Sequence, residues 1–145
     1  LKVGDFSSPL IRPAKADGLL ALKKGGLDLH GVYLKPNSWM VVNTGHHVAA
    51  SGKSAFIVDA DRIAQEIDHP RSVNLIVLGF ALAVAGKNVD PRIFCSLQDI
   101  LAVLENRMGD KREVLSASLV AIETGYNAGL MKVPNNKSQK TNKSQ

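Results

Sequence analysis

The fold is decided by Leu34-Lys35-Pro36-Asn37-Ser38-Trp39-Met40-Val41-Val42-Asn43, followed after a polar loop by Phe56-Ile57-Val58-Asp59-Ala60. An almost wholly apolar run then extends from Val73 to Ala85, with Asn74 as its one strongly polar residue. This order predicts a turn, a buried strand, a loop, a second strand that ends in Asp, and a buried helix. We therefore expect a three-layer α/β/α domain with a mainly parallel sheet.

Local chemistry predicts the boundaries of these elements. Pro36 fixes φ, and Asn37 tolerates the positive φ that a type II turn needs at the next position. After the second strand, either Asp59 or Asp61 is predicted to cap a short helix that extends to Ile67. Pro70 ends that segment, because the residue before a proline is disfavoured in the α region.

Upstream of this stretch, the run from Gly18 to Leu22 is typical of a strand that is buried on both faces. A helical segment is predicted from Leu27 to Tyr33, after the breaker Gly25-Gly26. Ser8 before Pro9 predicts a short capped helix. Leu1 to Asp5 resembles the end of a strand, which indicates a domain that is incomplete at its N-terminus.

Three helices are predicted downstream. The first extends from Ser72 to Ala85, is buried because it is apolar on nearly every side, and stops at Gly86. The second begins with Ser96-Leu97-Gln98-Asp99, close to a capping box, and the third ends near Gly125 to Gly129. The apolar face of the second helix is formed by Leu97, Ile100, Leu101, Leu104 and Met108. That of the third helix is formed by Leu115, Leu119, Ile122 and Tyr126.

Composition predicts a single soluble domain over residues 1–131. The chain has 145 residues, of which 45% are hydrophobic and 21% charged. Its longest apolar run is too short to span a bilayer, and no signal peptide is evident. Cys95 is the single cysteine, which excludes an internal disulfide and a cysteine-ligated iron–sulfur cluster within this sequence. The expected location is the cytoplasm.

Most of the net charge of +5 belongs to a polar tail, residues 132–145. The tail holds four of the 18 basic residues and no acidic one, which leaves 14 basic and 13 acidic residues in the body, a net charge of +1. Its repeats of Asn, Lys, Ser and Gln carry too little apolar surface to offset the entropy of ordering, so a flexible tail is expected. Without Arg or aromatic residues it does not indicate nucleic-acid binding.

The sequence contains no recognisable catalytic motif, and we predict no catalytic residue. Ser51-Gly52-Lys53-Ser54 lacks the first glycine of a phosphate-binding loop, because His47 stands at that position. His46 and His47 point to opposite faces of an extended segment, so no metal site is predicted, although His46 remains a candidate for facing a ligand or a partner subunit. Cys95 lies in an apolar setting beside Phe94, which raises its pKa and argues against a nucleophile.

Asn43 and Asn74 are the other candidates for facing a ligand or an interface. Asn43 ends a predicted strand, at the sheet edge where ligands bind in open α/β folds. Asn74 lies near the start of an apolar helix, where a buried amide needs a hydrogen-bond partner. The alternative is that each amide ties a loop to the fold.

The ordered set of segments resembles the gamma subunit, or gamma domain, of the 2-oxoacid:ferredoxin oxidoreductases. The resemblance covers about residues 1–130. Its segments are Ser8-Pro9-Leu10-Ile11, Ala16-Asp17-Gly18-Leu19-Leu20-Ala21-Leu22, Leu34-Lys35-Pro36, Met40-Val41-Val42-Asn43, Val58-Asp59-Ala60, Pro70-Arg71-Ser72-Val73-Asn74-Leu75-Ile76-Val77-Leu78-Gly79 and Glu123-Thr124-Gly125-Tyr126. The sequence departs from the family in having Asn37 where a glycine is usual, and in lacking the glycine-rich strand–turn–helix that opens the family's domain.

The resemblance implies one component of a complex that decarboxylates pyruvate, indolepyruvate or a related 2-oxoacid oxidatively, usually to an acyl-CoA. In such complexes thiamine diphosphate and iron–sulfur clusters are held mainly by alpha, beta and delta parts, and ferredoxin accepts the electrons. This chain would hold no cofactor itself; it would support assembly and could line the approach of the substrate or CoA. The alternatives are a stand-alone Rossmann-like module that binds a nucleotide or small ligand, and a pure interaction domain.

Overall fold

The computed structural model describes residues 15–48, 54–86, 93 and 95–132. The predicted short helix at Ser8 and the strand end at Leu1 to Asp5 lie outside these residues. The strands are β1 (Ala16–Ala21), β2 (Leu34–Asn43) and β3 (Ser54–Val58). The helices are α1 (Lys24–His30), α2 (Ala60–Glu66), α3 (Val73–Ala85), α4 (Leu97–Met108) and α5 (Arg112–Lys132), with 3₁₀ turns at Gly31–Tyr33 and Pro70–Ser72.

The three described strands form a parallel sheet in the order β1-β2-β3, which confirms the α/β class. Alternate residues of β2 enter two different cores, because successive side chains of a strand point to opposite faces. Trp39 and Val41 pack with α2 and α3, whereas Met40 and Val42 pack on the side of Leu27 in α1. Helix α5 packs on α3, and α4 packs on α5. These two C-terminal helices therefore lie beyond α3, which itself packs against the sheet.

The predicted turn at Lys35–Ser38 lies inside β2 as an irregularity of the strand. Asn37 has φ 62°, as the turn chemistry predicts. Between the register pairs Ala16–Leu34 and Gly18–Trp39, β2 advances five residues while β1 advances two. The extra residues therefore form a bulge, and the predicted turn is part of β2, which begins at Leu34.

Two predictions near the N-terminus are wrong in part. The run from Gly18 to Leu22 contributes to a parallel strand, but β1 is not buried on both faces, and Leu20 stays 36% exposed. Within the described residues β1 lies at an edge of the sheet, so its apolar run lacks a second neighbour. Helix α1 begins at Lys24 and includes Gly25-Gly26, which cost helix stability but do not prevent a turn that packs on the sheet.

Two predictions about the middle of the chain are confirmed. The open choice between Asp59 and Asp61 is settled, because the Asp59 carboxylate accepts a hydrogen bond from the Arg62 backbone N–H at 3.1 Å and caps α2. Helix α3 is buried over most of its length and ends at Gly86, whose φ of −70° is right-handed rather than left-handed.

Helix α5 passes through Gly125 and Gly129 and continues to Lys132, so the predicted end at these glycines is wrong. Both glycines are buried against α3. A Cβ at Gly125 would lie 2.8 Å from the Ile76 Cα, and one at Gly129 would lie 2.8 Å from the Phe80 carbonyl oxygen. The glycines therefore permit a close backbone approach of two helices, which is a property of the pair and not of α5 alone.

The capping box that opens α4 is confirmed, with Asp in the place of Glu or Gln. The Ser96 backbone N–H donates to Asp99 Oδ2 at 2.7 Å, and the Asp99 N–H donates to Ser96 Oγ at 3.2 Å. The Ser96 hydroxyl also donates to Asp99 Oδ2 at 2.7 Å. The backbone N–H and then the hydroxyl of Ser96, which both donate to this carboxylate, lower the pKa of Asp99. The predicted face of α4 packs with Leu82 and Ile122.

Two serine substitutions compare a buried hydroxyl, that of Ser38, with a helix-capping hydroxyl, that of Ser96. Ser38 is 1% exposed, and within the described part of the chain its hydroxyl is buried without a hydrogen-bond partner. Because an unpaired buried hydroxyl is unfavourable, Ser38→Ala should be neutral or stabilise folding by about 1 kcal/mol. Ser96→Ala removes a cap and should destabilise by about 1 kcal/mol. Urea midpoints that fall equally in both variants would contradict the account.

Candidate functional site

The candidate site lies where the three parallel strands end. β1 ends at Ala21, β2 at Asn43 and β3 at Val58, and the carboxyl ends of parallel strands meet at one edge of a sheet. In open α/β sheets this edge is the usual place for a ligand. Asn43 and the start of α2 lie at this edge, and His46 follows it in the next loop.

Asn43 is buried at this edge, with 4% of its surface exposed. Its amide nitrogen donates to the Leu22 carbonyl oxygen at 3.0 Å and to Asp61 Oδ2 at 2.8 Å. Its amide oxygen accepts from the Ala60 backbone N–H at 2.8 Å. One side chain therefore links the segment after β1, the end of β2 and the first turn of α2.

These bonds use both amide hydrogens and the amide oxygen of Asn43. Of the two sequence-based interpretations, the geometry matches the one in which the amide ties loops to the fold. A molecule bound at this edge would contact the exposed Asp61 carboxylate rather than the buried amide of Asn43. From the sequence alone, Asp61 is predicted only as a possible helix cap. Its pairing with Asn43 across 17 intervening residues has no local signal.

The loop after β2 is fixed close to the start of α2. The Thr44 N–H donates to the Val58 carbonyl oxygen at 2.9 Å, and the His46 N–H donates to Thr44 Oγ1 at 3.2 Å. Gly45 also lies close to the cap of α2, since a Cβ added there would lie 3.2 Å from Asp59 Oδ2. The backbone around His46 is thus tied to the strand ends.

The imidazoles beyond this loop are open to solvent. Both His46 and His47 are exposed, whereas Val48 is buried and anchors the segment. An exposed imidazole on an anchored loop is free to meet another molecule. This placement agrees with the candidate role of His46 in facing a ligand or a partner, a role that stays a prediction.

Asn74 does not join this cluster by any bond among the described residues. It lies in the first turn of α3 and is exposed. The sequence predicts that the Asn74 amide needs a hydrogen-bond partner inside the protein if it is buried. Because Asn74 is exposed, water can satisfy its amide and no internal partner is required. Ser72, the N-cap of α3, is half-buried and makes no side-chain capping bond.

The described residues contain no group of three or more His, Cys, Asp or Glu side chains placed to hold a metal ion. Burial, and then the nearby Asp99 carboxylate, raises the pKa of the Cys95 thiol. This direction confirms the expectation from its apolar setting, although Phe94 lies outside the described residues. A raised pKa keeps the thiol protonated, which disfavours nucleophilic chemistry. No described helix is both long and apolar enough to cross a bilayer.

Comparisons with known proteins agree with the architecture. Residues 3–128 match the sequence model of a protein family, which is described as pyruvate ferredoxin/flavodoxin oxidoreductase. No curated protein matches the sequence.

The solved structures that share the fold include two that each match most of this chain. One is a 2-oxoglutarate:ferredoxin oxidoreductase from Magnetococcus marinus, with 2-oxoglutarate, coenzyme A and succinyl-CoA bound (23% identity, TM-score 0.63, 83% of this chain and 21% of that one). The other is the gamma subunit of a keto/oxoacid ferredoxin oxidoreductase from Geobacter sulfurreducens PCA (16% identity, TM-score 0.66, 79% of this chain and 64% of that one).

The chain thus spans about a fifth of the first structure's length and under two thirds of the second's. The family match covers most of the present sequence, including β1 to β3 and most of α5. The segments that carried the resemblance in the sequence all fall within residues 3–128. This chain belongs to the pyruvate ferredoxin/flavodoxin oxidoreductase family.

Proposed function

We propose that this chain is the gamma-type component of a 2-oxoacid:ferredoxin oxidoreductase. The single observation that carries the proposal is the family match over residues 3–128, and the fold shared with a gamma subunit supports it. The proposed role is structural: the chain assembles with the subunits that hold the reactive cofactors. The complex would decarboxylate pyruvate, indolepyruvate or a related 2-oxoacid oxidatively and form an acyl-CoA.

The partners in this proposal are alpha-, beta- and delta-type subunits, with ferredoxin as the electron acceptor. Thiamine diphosphate and iron–sulfur clusters would lie in those subunits and supply the carbanion and electron-transfer chemistry. The chain's own contribution is a rigid surface. Asn43 holds three elements together, and the loop that carries His46 is tied to the same strand ends. The proposed location of the complex is the cytoplasm.

The role in substrate approach rests on the same sheet edge. Nearby backbone is bonded to the fold, since the Thr44 N–H donates to the Val58 carbonyl oxygen and the Ala60 N–H donates to Asn43. His46 and Asp61 are exposed there. Such side chains can line a channel for 2-oxoacid or CoA that another subunit completes. A surface whose backbone is fixed loses little entropy when it is covered, which favours a defined subunit contact.

An activity assay tests whether this chain is one component of a larger enzyme. The isolated full chain should not oxidise pyruvate, indolepyruvate or 2-oxoglutarate in the presence of CoA and a viologen dye. The physical reason is that the reaction needs a thiamine carbanion and an electron carrier, which we assign to partner subunits. Mixing the chain with a thiamine-binding subunit and a cluster-binding subunit should restore dye reduction.

The control is the same mixture without this chain, and a tagged chain should retain the thiamine-binding subunit on an affinity resin. Turnover by the isolated chain would contradict the component role. Failure of the tagged chain to retain any thiamine-binding subunit would contradict the proposed assembly. Saturable binding of a nucleotide by the isolated chain, measured by calorimetry, would instead support a stand-alone ligand-binding module.

The exposed candidates give a sharper test of the surface itself. His46→Ala and Asn74→Ala should leave the free energy of unfolding of the isolated chain, measured in urea, within about 0.5 kcal/mol of the parent. The reason is that exposed side chains outside packed features contribute little to stability. A residue that faces a partner should still weaken retention of the thiamine-binding subunit, and one that lines the substrate path should raise the KM of the reconstituted complex. A variant that changes neither the retention of the thiamine-binding subunit nor the KM loses its candidate role.

A further inference from the structure

We draw no further inference here: the strongest candidate, the exposed apolar patch that Leu29, Val32 and Tyr33 form on α1 and the 3₁₀ turn after it, carries no proposal because nothing in the structure shows what covers it.

Discussion

Replacing Gly125 by alanine is expected to destabilise the protein by about 1–3 kcal/mol, the usual cost of overpacking a core. Alanine is the better helix former, by about 1 kcal/mol, so helix propensity alone predicts the opposite sign. The added Cβ would overlap the backbone of Ile76 in α3, lying 2.8 Å from both its Cα and its carbonyl carbon. Backbone atoms in a buried helix cannot rotate aside as a side-chain tip can, so the two helices must separate.

The measurement is the urea midpoint of unfolding, followed by circular dichroism, with Gly25→Ala as the matched control. Gly25 also lies in a helix, but a Cβ added there has no neighbour within 4 Å. This control should be neutral or stabilise by up to about 1 kcal/mol. The same chemical change should therefore destabilise the protein at Gly125 and not at Gly25. A Gly125→Ala protein as stable as the parent would show that α3 and α5 can move apart without loss.

The second large effect is expected at Asn43. Asn43→Leu replaces the amide with an apolar group of similar size and leaves the Ala60 N–H and the Leu22 carbonyl without their partner. The Ala60 site is fully buried, so water cannot easily replace the lost bond. We expect a loss of about 2–4 kcal/mol, because each buried group left unpaired costs about 1–3 kcal/mol. Asn43→Ala should cost less, since the smaller side chain leaves room for water.

Two controls separate the buried bonds of Asn43 from its other contacts. Asp61→Asn keeps an acceptor for the Asn43 amide and removes only an exposed charge, so it should change the free energy of unfolding by less than about 1 kcal/mol. Asn74→Ala removes the same amide at an exposed position and should be near neutral. Chemical denaturation of the four variants checks the order. Equal midpoints for Asn43→Leu and Asn74→Ala would show that the Asn43 bonds contribute nothing to stability.

Hydrogen exchange should show where the Asn43 bonds act. Asn43 connects α2 to the ends of β1 and β2, so its loss should open the first turn of α2 before it opens α3. Faster exchange confined to α2 and the loop after β2 is the expected pattern. Such a change would also alter the backbone that carries His46. Weaker assembly in Asn43→Leu would then be an indirect effect of a displaced loop.

Local chemistry was enough to predict much of the fold. The turn at Pro36 and Asn37, the cap of α2, the capping box at Ser96 and Asp99, and the burial of α3 each depend on residues close in sequence. Proline restricts φ, a short polar side chain reaches the free N–H groups of its own helix, and an all-apolar helix must leave water. These effects act in any context, so the sequence reports them directly.

The candidate site was predictable only as a location. Asn43 could be placed at the carboxyl edge of a parallel sheet because a strand period and a strand end are visible in the sequence. Its three partners come from Leu22, Ala60 and Asp61, which lie 17 to 21 residues away along the chain. No local rule joins residues at that distance. The exposure of Asn74 likewise depends on how α3 is docked rather than on the apolar residues around it.

The sequence by itself determined the strand–helix order, the helix caps, the turn conformation at Asn37 and, through its resemblance, the family. Only the tertiary structure decided that Asn43 is a buried tie, that β1 lies at an edge of the described sheet, and that α5 passes through Gly125 and Gly129. Glycine lowers helix propensity wherever it stands, so an isolated α5 favours an end at these positions. The close approach of the α3 backbone reverses that preference, since packing stabilises the helix only when no side chain separates the two backbones.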